Sequence, residues 1–188
     1  MHKLRQIVLA GWAVLIVGAL FLYLFDEATL KAIFARILAQ PKPLAGAIFF
    51  LILCFRGFIL IPAGYLVIAA IPVLPAVPLF FLTLGGVMVS SGMIYLFSQA
   101  MHLDEFFERK HKAGIEKVRQ ALQRYEMPII IAWSFLPLVP TDVICYVCGS
   151  LKINFKKFLL GILIGEGSIC AVYIFLGDSV LRLLSMRP

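Results

Sequence analysis

Five apolar stretches, separated by short polar or charged segments, dominate the pattern of this chain. The first, third and fifth are continuous, and each is long enough as a helix to cross the hydrocarbon core of a bilayer. The pattern therefore predicts an all-α polytopic membrane protein with about three transmembrane helices. The predicted spans are residues 7–25, within an N-terminal unit of residues 1–25, and then residues 76–97 and 158–181.

The second apolar stretch, residues 44–71, is interrupted by Arg56 in its middle and by Pro62 soon after. Residues 44–55 are too short to span a bilayer alone, and an arginine at mid-depth needs a partner or a water-filled cavity. Proline removes a backbone donor, and backbone groups freed at that depth must be buried in protein or line a cavity. These properties predict a re-entrant hairpin, although a kinked ordinary span fits the local pattern equally well.

The fourth apolar stretch, residues 127–149, is broken in a similar way at Pro137, at Pro140 and at Thr141-Asp142. It predicts a second re-entrant hairpin for the same reasons. The distribution of Lys and Arg fits an arrangement with two hairpins and one with five full spans equally well. The charge pattern therefore leaves both topologies open, and the breaks themselves favour the hairpins.

Two amphipathic stretches precede the broken segments. In residues 26–41, apolar positions recur on one helical face, which begins after an acidic pair and ends at Pro41. Residues 102–126 form the most charged part of the chain, with Lys and Arg beside an apolar stripe. Both stretches predict helices that lie in the membrane interface, the second of them on the cytoplasmic side.

The order of elements repeats along the chain. Residues 26–98 and residues 102–182 each contain an interfacial helix, a broken hairpin and a span, and Leu84-Gly85 and Leu160-Gly161 recur at nearly the same offset. Because one full span separates the two hairpins, they are expected to enter from opposite faces. The sequence thus predicts one membrane domain of residues 26–188 that contains an inverted repeat. Such repeats place the site near the midplane of the membrane.

Composition indicates that lipid is the main solvent. The chain has 62% hydrophobic residues, 14% charged residues and a mean hydropathy of +1.01. Soluble domains have about 45–50% apolar residues and about 25% charged residues. The chain's net charge of +7 is explained by cytoplasmic Lys and Arg beside anionic lipid, and nucleic-acid binding is not predicted. Cys145 and Cys148 form a Cys-x-x-Cys, but they are interpreted as small buried apolar residues. No cofactor and no metal site is predicted.

Three sequence blocks resemble a known family. The run Arg56-Gly-Phe-Ile-Leu-Ile-Pro62 and the run from Ser134 to Gly149 resemble the first two conserved blocks of the VTT-domain, or DedA, superfamily. The run Tyr173-Ile-Phe-Leu-Gly177 resembles the block that closes the domain. The Pro-x-x-Pro-x-Asp spacing in the second block is most similar to the Tvp-type branch, whose members are described as SNARE-associated Golgi protein-like.

The chain departs from that family pattern at three positions. The family usually has arginine where this chain has Ser134, and the classical DedA branch has a second arginine where Pro140 stands. Tvp-type members often have asparagine where this chain has Cys145. The family arginines are linked to proton-dependent activity. The resemblance implies two opposed re-entrant hairpins and a role in moving phospholipids or polyprenyl phosphates between leaflets.

The candidate site combines polar residues and prolines at or near the two breaks. Arg56 is the predicted phosphate-binding cation, with Asp142 and Glu166 as its partners or as proton-titrating groups. Ser134 and Thr141 are predicted hydrogen-bond donors. An alternative is that Arg56 and Asp142 form a structural ion pair, and that Glu166 faces a neighbouring helix or lies nearer the interface. The full candidate set is Arg56, Pro62, Ser134, Pro137, Pro140, Thr141, Asp142 and Glu166.

The function predicted from these features is lipid translocation between leaflets of a cell membrane, with a bacterial inner membrane as the expected location. Its partners are then anionic lipids, and a homo-oligomer is compatible with the sequence. One alternative is a proton-coupled transporter of small solutes or ions that uses Asp142 and Glu166. Another is an assembly factor without transport, which would work through residues 102–126. No enzymatic activity is predicted.

Overall fold

The computed structural model describes residues 11, 12, 14, 32, 36, 37, 39–59, 61, 63–101, 120–122, 124–136 and 140–185. All regular elements within these residues are helical. In chain order they are α1 (Lys42–Phe55), a 3₁₀ turn (Arg56–Ile59), α2 (Ala63–Ala70), α3 (Ala76–Ala100), α4 (Glu126–Phe135), α5 (Thr141–Ser150), α6 (Phe155–Ala171), a π-helical turn (Val172–Leu176) and α7 (Gly177–Ser185).

Three helical segments in this part of the chain are long and apolar enough to cross a membrane, so the chain is a multi-pass membrane protein. Ala76–Ala100 and Phe155–Leu184 confirm two of the predicted spans. The third candidate, Lys42–Ile59, has 18 residues and joins α1 to the 3₁₀ turn. Residues 44–55 alone remain too short, but the helical segment starts earlier and continues through Arg56 in the 3₁₀ turn, reaching about 29 Å.

Several predicted elements lie outside the described residues. The N-terminal span of residues 7–25 is described only at residues 11, 12 and 14. Residues 26–41 are described only at 32, 36, 37 and 39–41, and residues 102–126 only at 120–122 and 124–126. These elements, and the domain bounds drawn from them, stay predictions.

Helices α1 and α3 run parallel, although they follow each other in the chain. Near their starts Gly46 lies against Leu82, and near the end of α1 Gly57 lies against Ser90 and Ile94. The segment that contains α2 must therefore bring the chain back to the level at which α1 began. Gly57 meets α3 about 21–27 Å along a helix about 37 Å long, so the 3₁₀ turn ends well inside the length of α3.

Helices α4 and α6 are also parallel neighbours. Lys157 Nζ forms a 2.6 Å ion pair with Glu126 near their starts, and Ile130 packs directly on Gly161 further along. A Cβ added at Gly161 would lie 2.7 Å from Ile130 Cγ2, so glycine is what permits this close approach. The segment that contains α5 therefore returns the chain within the second half, as the segment with α2 does within the first.

The two long helices α3 and α6 are antiparallel. Tyr95, near the end of α3, stacks on Phe158 near the start of α6, with ring centroids 5.0 Å apart. At the opposite end, Phe80 of α3 lies 5.8 Å from Phe175 in the π-helical turn. Each parallel helix pair is thus inverted relative to the other, with α3 and α6 in contact between them.

The break between α4 and α5 follows from the prolines of that segment. Leu136 is extended, with φ −77° and ψ 116°, because the residue before a proline disfavours the helical region. Pro140 is also extended, and α5 starts directly after it. At the other end of α5, Lys152 adopts a positive φ of 54°, and the side chain of Asn154 caps α6 by accepting from the amides of Lys156 and Lys157.

Candidate functional site

The site centres on an ion pair between the two broken segments. Arg56 Nη1 lies 3.0 Å from Asp142 Oδ2, although 86 residues separate them in the chain. The same Nη1 donates a 2.8 Å hydrogen bond to the carbonyl oxygen of Ile61, which helps to close the 3₁₀ turn. Arg56 is 1% exposed and Asp142 is 0% exposed, so the ion pair is buried inside the protein.

Gly57 explains how the two breaks come so close. A Cβ at this position would lie 2.7 Å from Asp142 Oδ1 and 2.7 Å from Ser90 Oγ, and it would also collide with Ile94. The residue after the arginine must therefore lack a side chain for the 3₁₀ turn to contact α3 and α5 together. Tyr146 of α5 strengthens this contact by donating from its hydroxyl to the carbonyl oxygen of Gly57 at 3.4 Å.

Glu166 of α6 joins the same cluster. Thr141 Oγ1 donates a hydrogen bond to Glu166 Oε1, and Cys170 Sγ lies 3.7 Å from Glu166 Oε2. The charge of Arg56 interacts with Glu166 as well as with Asp142. The predicted residues Arg56, Thr141, Asp142 and Glu166 are therefore brought together by the 3₁₀ turn, the start of α5 and the middle of α6.

The other predicted site residues lie at the edge of this cluster or outside the described residues. Ser134 is buried on α4 and packs on Gly165, where an added Cβ would lie 2.6 Å from Ser134 Cβ. Pro140 is partly buried at the start of α5. Pro62 and Pro137 are among the residues that the structure does not describe.

Several buried polar atoms in the cluster have no hydrogen-bond partner among the described residues. They include Arg56 Nε and Nη2, Asp142 Oδ1, and the hydroxyls of Ser90 and Ser134. Buried polar groups are almost always paired, so each exception calls for an explanation such as a ligand or water site. The Nε–Nη2 edge of an arginine is a planar fork that binds carboxylate or phosphate oxygens bidentately. Among the described residues, this edge of Arg56 has no partner and has the geometry that suits a bidentate anion.

The charges of the cluster do not cancel. Within the part of the chain that the structure describes, Arg56 is the only buried cation, whereas Asp142 and Glu166 are two buried carboxylates. An uncompensated charge in a low-dielectric interior costs several kcal/mol, so ionisation of both acids at once needs a further cation. Without such a cation, one of the two acids keeps its proton.

Sequence reasoning missed two contributors to the site. They are Ser90, whose hydroxyl lies beside Gly57, and the hydrogen bond from Thr141 to Glu166. Thr83, Ser90 and Ser98 recur on the buried face of α3, and this helical spacing of hydroxyls is the signal that could have indicated a polar face. Nothing local to Thr141 indicates that α6 passes beside it.

Comparison with known proteins identifies one family. The VTT domain matches residues 56–179, which is more than half of the chain. The match begins at Arg56 and includes Asp142, Glu166 and the π-helical turn. No curated protein and no solved structure shows a significant match to the chain.

Proposed function

Because the chain belongs to the VTT domain family, as a membrane protein of the DedA type, we propose that it moves lipids with anionic headgroups between the two leaflets. The observation that carries this proposal is the buried Nε–Nη2 edge of Arg56, which has no partner among the described residues. That edge has the geometry to bind two phosphate oxygens. Phospholipids and polyprenyl phosphates both supply such a group, so either is a substrate in this proposal.

The proposed topology is a pair of re-entrant hairpins in an inverted repeat. Three observations support it: α1 runs parallel to α3, α4 runs parallel to α6, and α3 is antiparallel to α6. The depth of the 3₁₀ turn, well inside the length of α3, supports a tip that stops within the membrane. The two tips then meet near the midplane, where inverted repeats place their sites.

The energetic role of such a site is to lower the barrier for the headgroup. A charged group at the bilayer centre costs roughly 3 to more than 10 kcal/mol without assistance. Arg56 would offset part of that cost by binding the phosphate, while the lipid tails stay in the hydrocarbon. In the described conformation Arg56 is held by Asp142. Asp142 contacts Nη1, so the proposed opening step is binding of the phosphate on the Nε–Nη2 edge while the ion pair is kept.

Leaflet exchange in liposomes tests this proposal. Purified protein should accelerate exchange of a labelled polyprenyl phosphate or anionic phospholipid over protein-free vesicles, and Arg56→Ala should abolish the acceleration. Arg182→Ala is the matched control, since the side chain of Arg182 is 77% exposed and forms an ion pair with Asp178 at 2.9 Å. Exchange at the wild-type rate in Arg56→Ala, or no acceleration by the wild type with either lipid, would contradict the proposal.

A proton-coupled transporter is the second candidate, and the charge imbalance favours it. Among the described residues, Arg56 is the single buried cation beside the two buried carboxylates of Asp142 and Glu166, so a proton on one acid would neutralise the cluster. Solute or lipid movement driven by a pH gradient, and lost in both Asp142→Asn and Glu166→Gln, would support this candidate. Gradient-independent transport, or a gradient response that survives both changes, would argue against it.

Three finer assignments belong to the same proposal. Membership of the Tvp-type branch is supported by the spacing of Pro137, Pro140 and Asp142. A bacterial inner membrane is supported by that resemblance together with the net charge of +7. The alternative of an assembly factor relies on residues 102–126, most of which the structure does not describe.

A further inference from the structure

The 3₁₀ turn that follows Arg56 leaves backbone carbonyls without helical partners inside the membrane domain. Two side-chain donors supply bonds to them. Tyr146 donates from its hydroxyl to Gly57 O at 3.4 Å, and Trp12 donates from Nε1 to Phe58 O at 3.0 Å. A carbonyl without a donor inside lipid is unfavourable, so these two donors stabilise the turn.

Trp12 is held on this turn by more than one hydrogen bond. Its ring lies 5.3 Å from the ring of Tyr146 and 5.7 Å from that of Phe97, and Phe97 in turn contacts Phe58 edge-on at 5.5 Å. These four aromatic residues form one group around the tip. The two donors therefore reach consecutive carbonyls, those of Gly57 and Phe58, from a single packed arrangement.

The position of Trp12 in the chain is unexpected. It precedes Phe58 by 46 residues, and it lies before the VTT domain match, which starts at residue 56. The second broken segment is different, because Trp133 donates to Pro140 O over only seven residues, at 3.5 Å. The chain has two tryptophans, and each donates to a carbonyl at one break. Trp12 donates from outside the matched domain, whereas Trp133 donates from within it.

We propose that Trp12 is a positioning residue for Arg56, supplied by the N-terminal segment to a site that the VTT domain otherwise builds. Its indole fixes the 3₁₀ turn, and the turn fixes the direction of the guanidinium toward Asp142. The proposal rests on the proposed function insofar as Arg56 binds the lipid phosphate. Loss of the indole donor should then loosen the orientation of Arg56 without removing its charge.

Headgroup preference distinguishes positioning from a general loss of structure. In Trp12→Phe the ring is kept and the N–H donor is lost. Exchange of an anionic phospholipid should fall by about tenfold, which corresponds to about 1.4 kcal/mol for one such bond, and exchange of a neutral glycolipid, which has no phosphate for Arg56 to bind, should fall less. Tyr125→Phe, which removes a hydroxyl from a side chain that is 50% exposed, is the control and should keep the wild-type ratio of the two rates. Equal losses for both lipids, or no loss in Trp12→Phe, would overturn the proposal.

A spectroscopic readout keeps the inference testable apart from lipid exchange. In the Trp133→Phe protein Trp12 is the single tryptophan, and its ultraviolet resonance Raman spectrum reports whether the indole N–H is hydrogen-bonded. The Gly57→Ala substitution displaces the turn. An indole N–H that is hydrogen-bonded before this substitution and loses its hydrogen bond after it would support the contact, even if the wild type exchanged no lipid and the proposed function failed. An indole N–H without a hydrogen bond in the protein that keeps Gly57 would overturn the contact, and with it the positioning role.

Discussion

Arg56 and Asp142 form a buried ion pair at 3.0 Å that joins two helix breaks 86 residues apart. Such a pair brings little net stability, because desolvation of the two charges offsets their attraction. Removal of one partner is far more costly than removal of both, since it leaves a charge buried alone. The energetic consequences of the pair can therefore be separated from its role in binding.

The first prediction concerns the stability of single and paired substitutions. Asp142→Leu alone should lower the free energy of unfolding by about 3–5 kcal/mol, because the Arg56 charge loses its partner. Arg56→Met combined with Asp142→Leu should recover most of that loss. Unfolding of the detergent-solubilised protein, followed by circular dichroism, measures both. A double variant as unstable as the single variant would show that the pair itself stabilises the fold.

The second prediction concerns the space at Gly57. Gly57→Ala should lower stability by about 1–3 kcal/mol, because the new methyl group collides with Ile94 and crowds Ser90 and Asp142. Gly92→Ala is the matched control on α3, since its Cβ would meet only the Phe155 ring at 3.8 Å. That control should be neutral or stabilising by up to about 1 kcal/mol. Equal effects at the two positions would contradict the close approach.

The third prediction concerns the contact between Thr141 and Glu166. Thr141→Val removes the hydroxyl donor and keeps the shape, and Glu166→Gln changes the acceptor. A double-mutant cycle on the free energy of unfolding should give a coupling energy of about 0.5–3 kcal/mol. Thr141→Ser serves as the control because it retains the hydroxyl. Additive effects of the two substitutions would mean that the side chains do not interact.

The fourth prediction concerns topology. Cysteines introduced at Lys42 and Pro75 should be labelled by an impermeant maleimide from the same side of the membrane, and one introduced at Ala100 from the other side. The four native cysteines (Cys54, Cys145, Cys148 and Cys170) are buried, so their background labelling should be low. A cysteine at Ile61 should resist labelling from both sides, because a re-entrant tip ends inside the membrane. Labelling of Ile61→Cys from the side opposite Lys42 would instead indicate a full crossing.

The sequence alone predicted the parts of the fold that depend on local pattern. The spans at α3 and α6 follow from the length of their apolar runs, and the break after Phe135 follows from proline chemistry. The importance of Arg56 and Asp142 follows from the high cost of charge in lipid, which requires buried charges to be paired.

The remaining features depend on contacts between distant elements. The continuation of α1 through Arg56 was not expected, since a charge in an apolar run resembles an interruption. Trp12 donates to the carbonyl of Phe58, and Gly57 packs closely on α3 and α5. These contacts join segments that share no hydrophobic periodicity. Such contacts follow from packing in three dimensions, which hydrophobic period and composition do not encode.

Leaflet exchange by the neutral pair variant, Arg56→Met with Asp142→Leu, tests the central claim most directly. With Glu166→Gln added, so that no carboxylate is left buried without a cation, this variant separates binding from folding. If Arg56 binds the lipid phosphate, the folded variant should exchange an anionic phospholipid no faster than protein-free vesicles do, while the wild type exchanges it rapidly. Exchange by the folded variant at the wild-type rate would contradict the account.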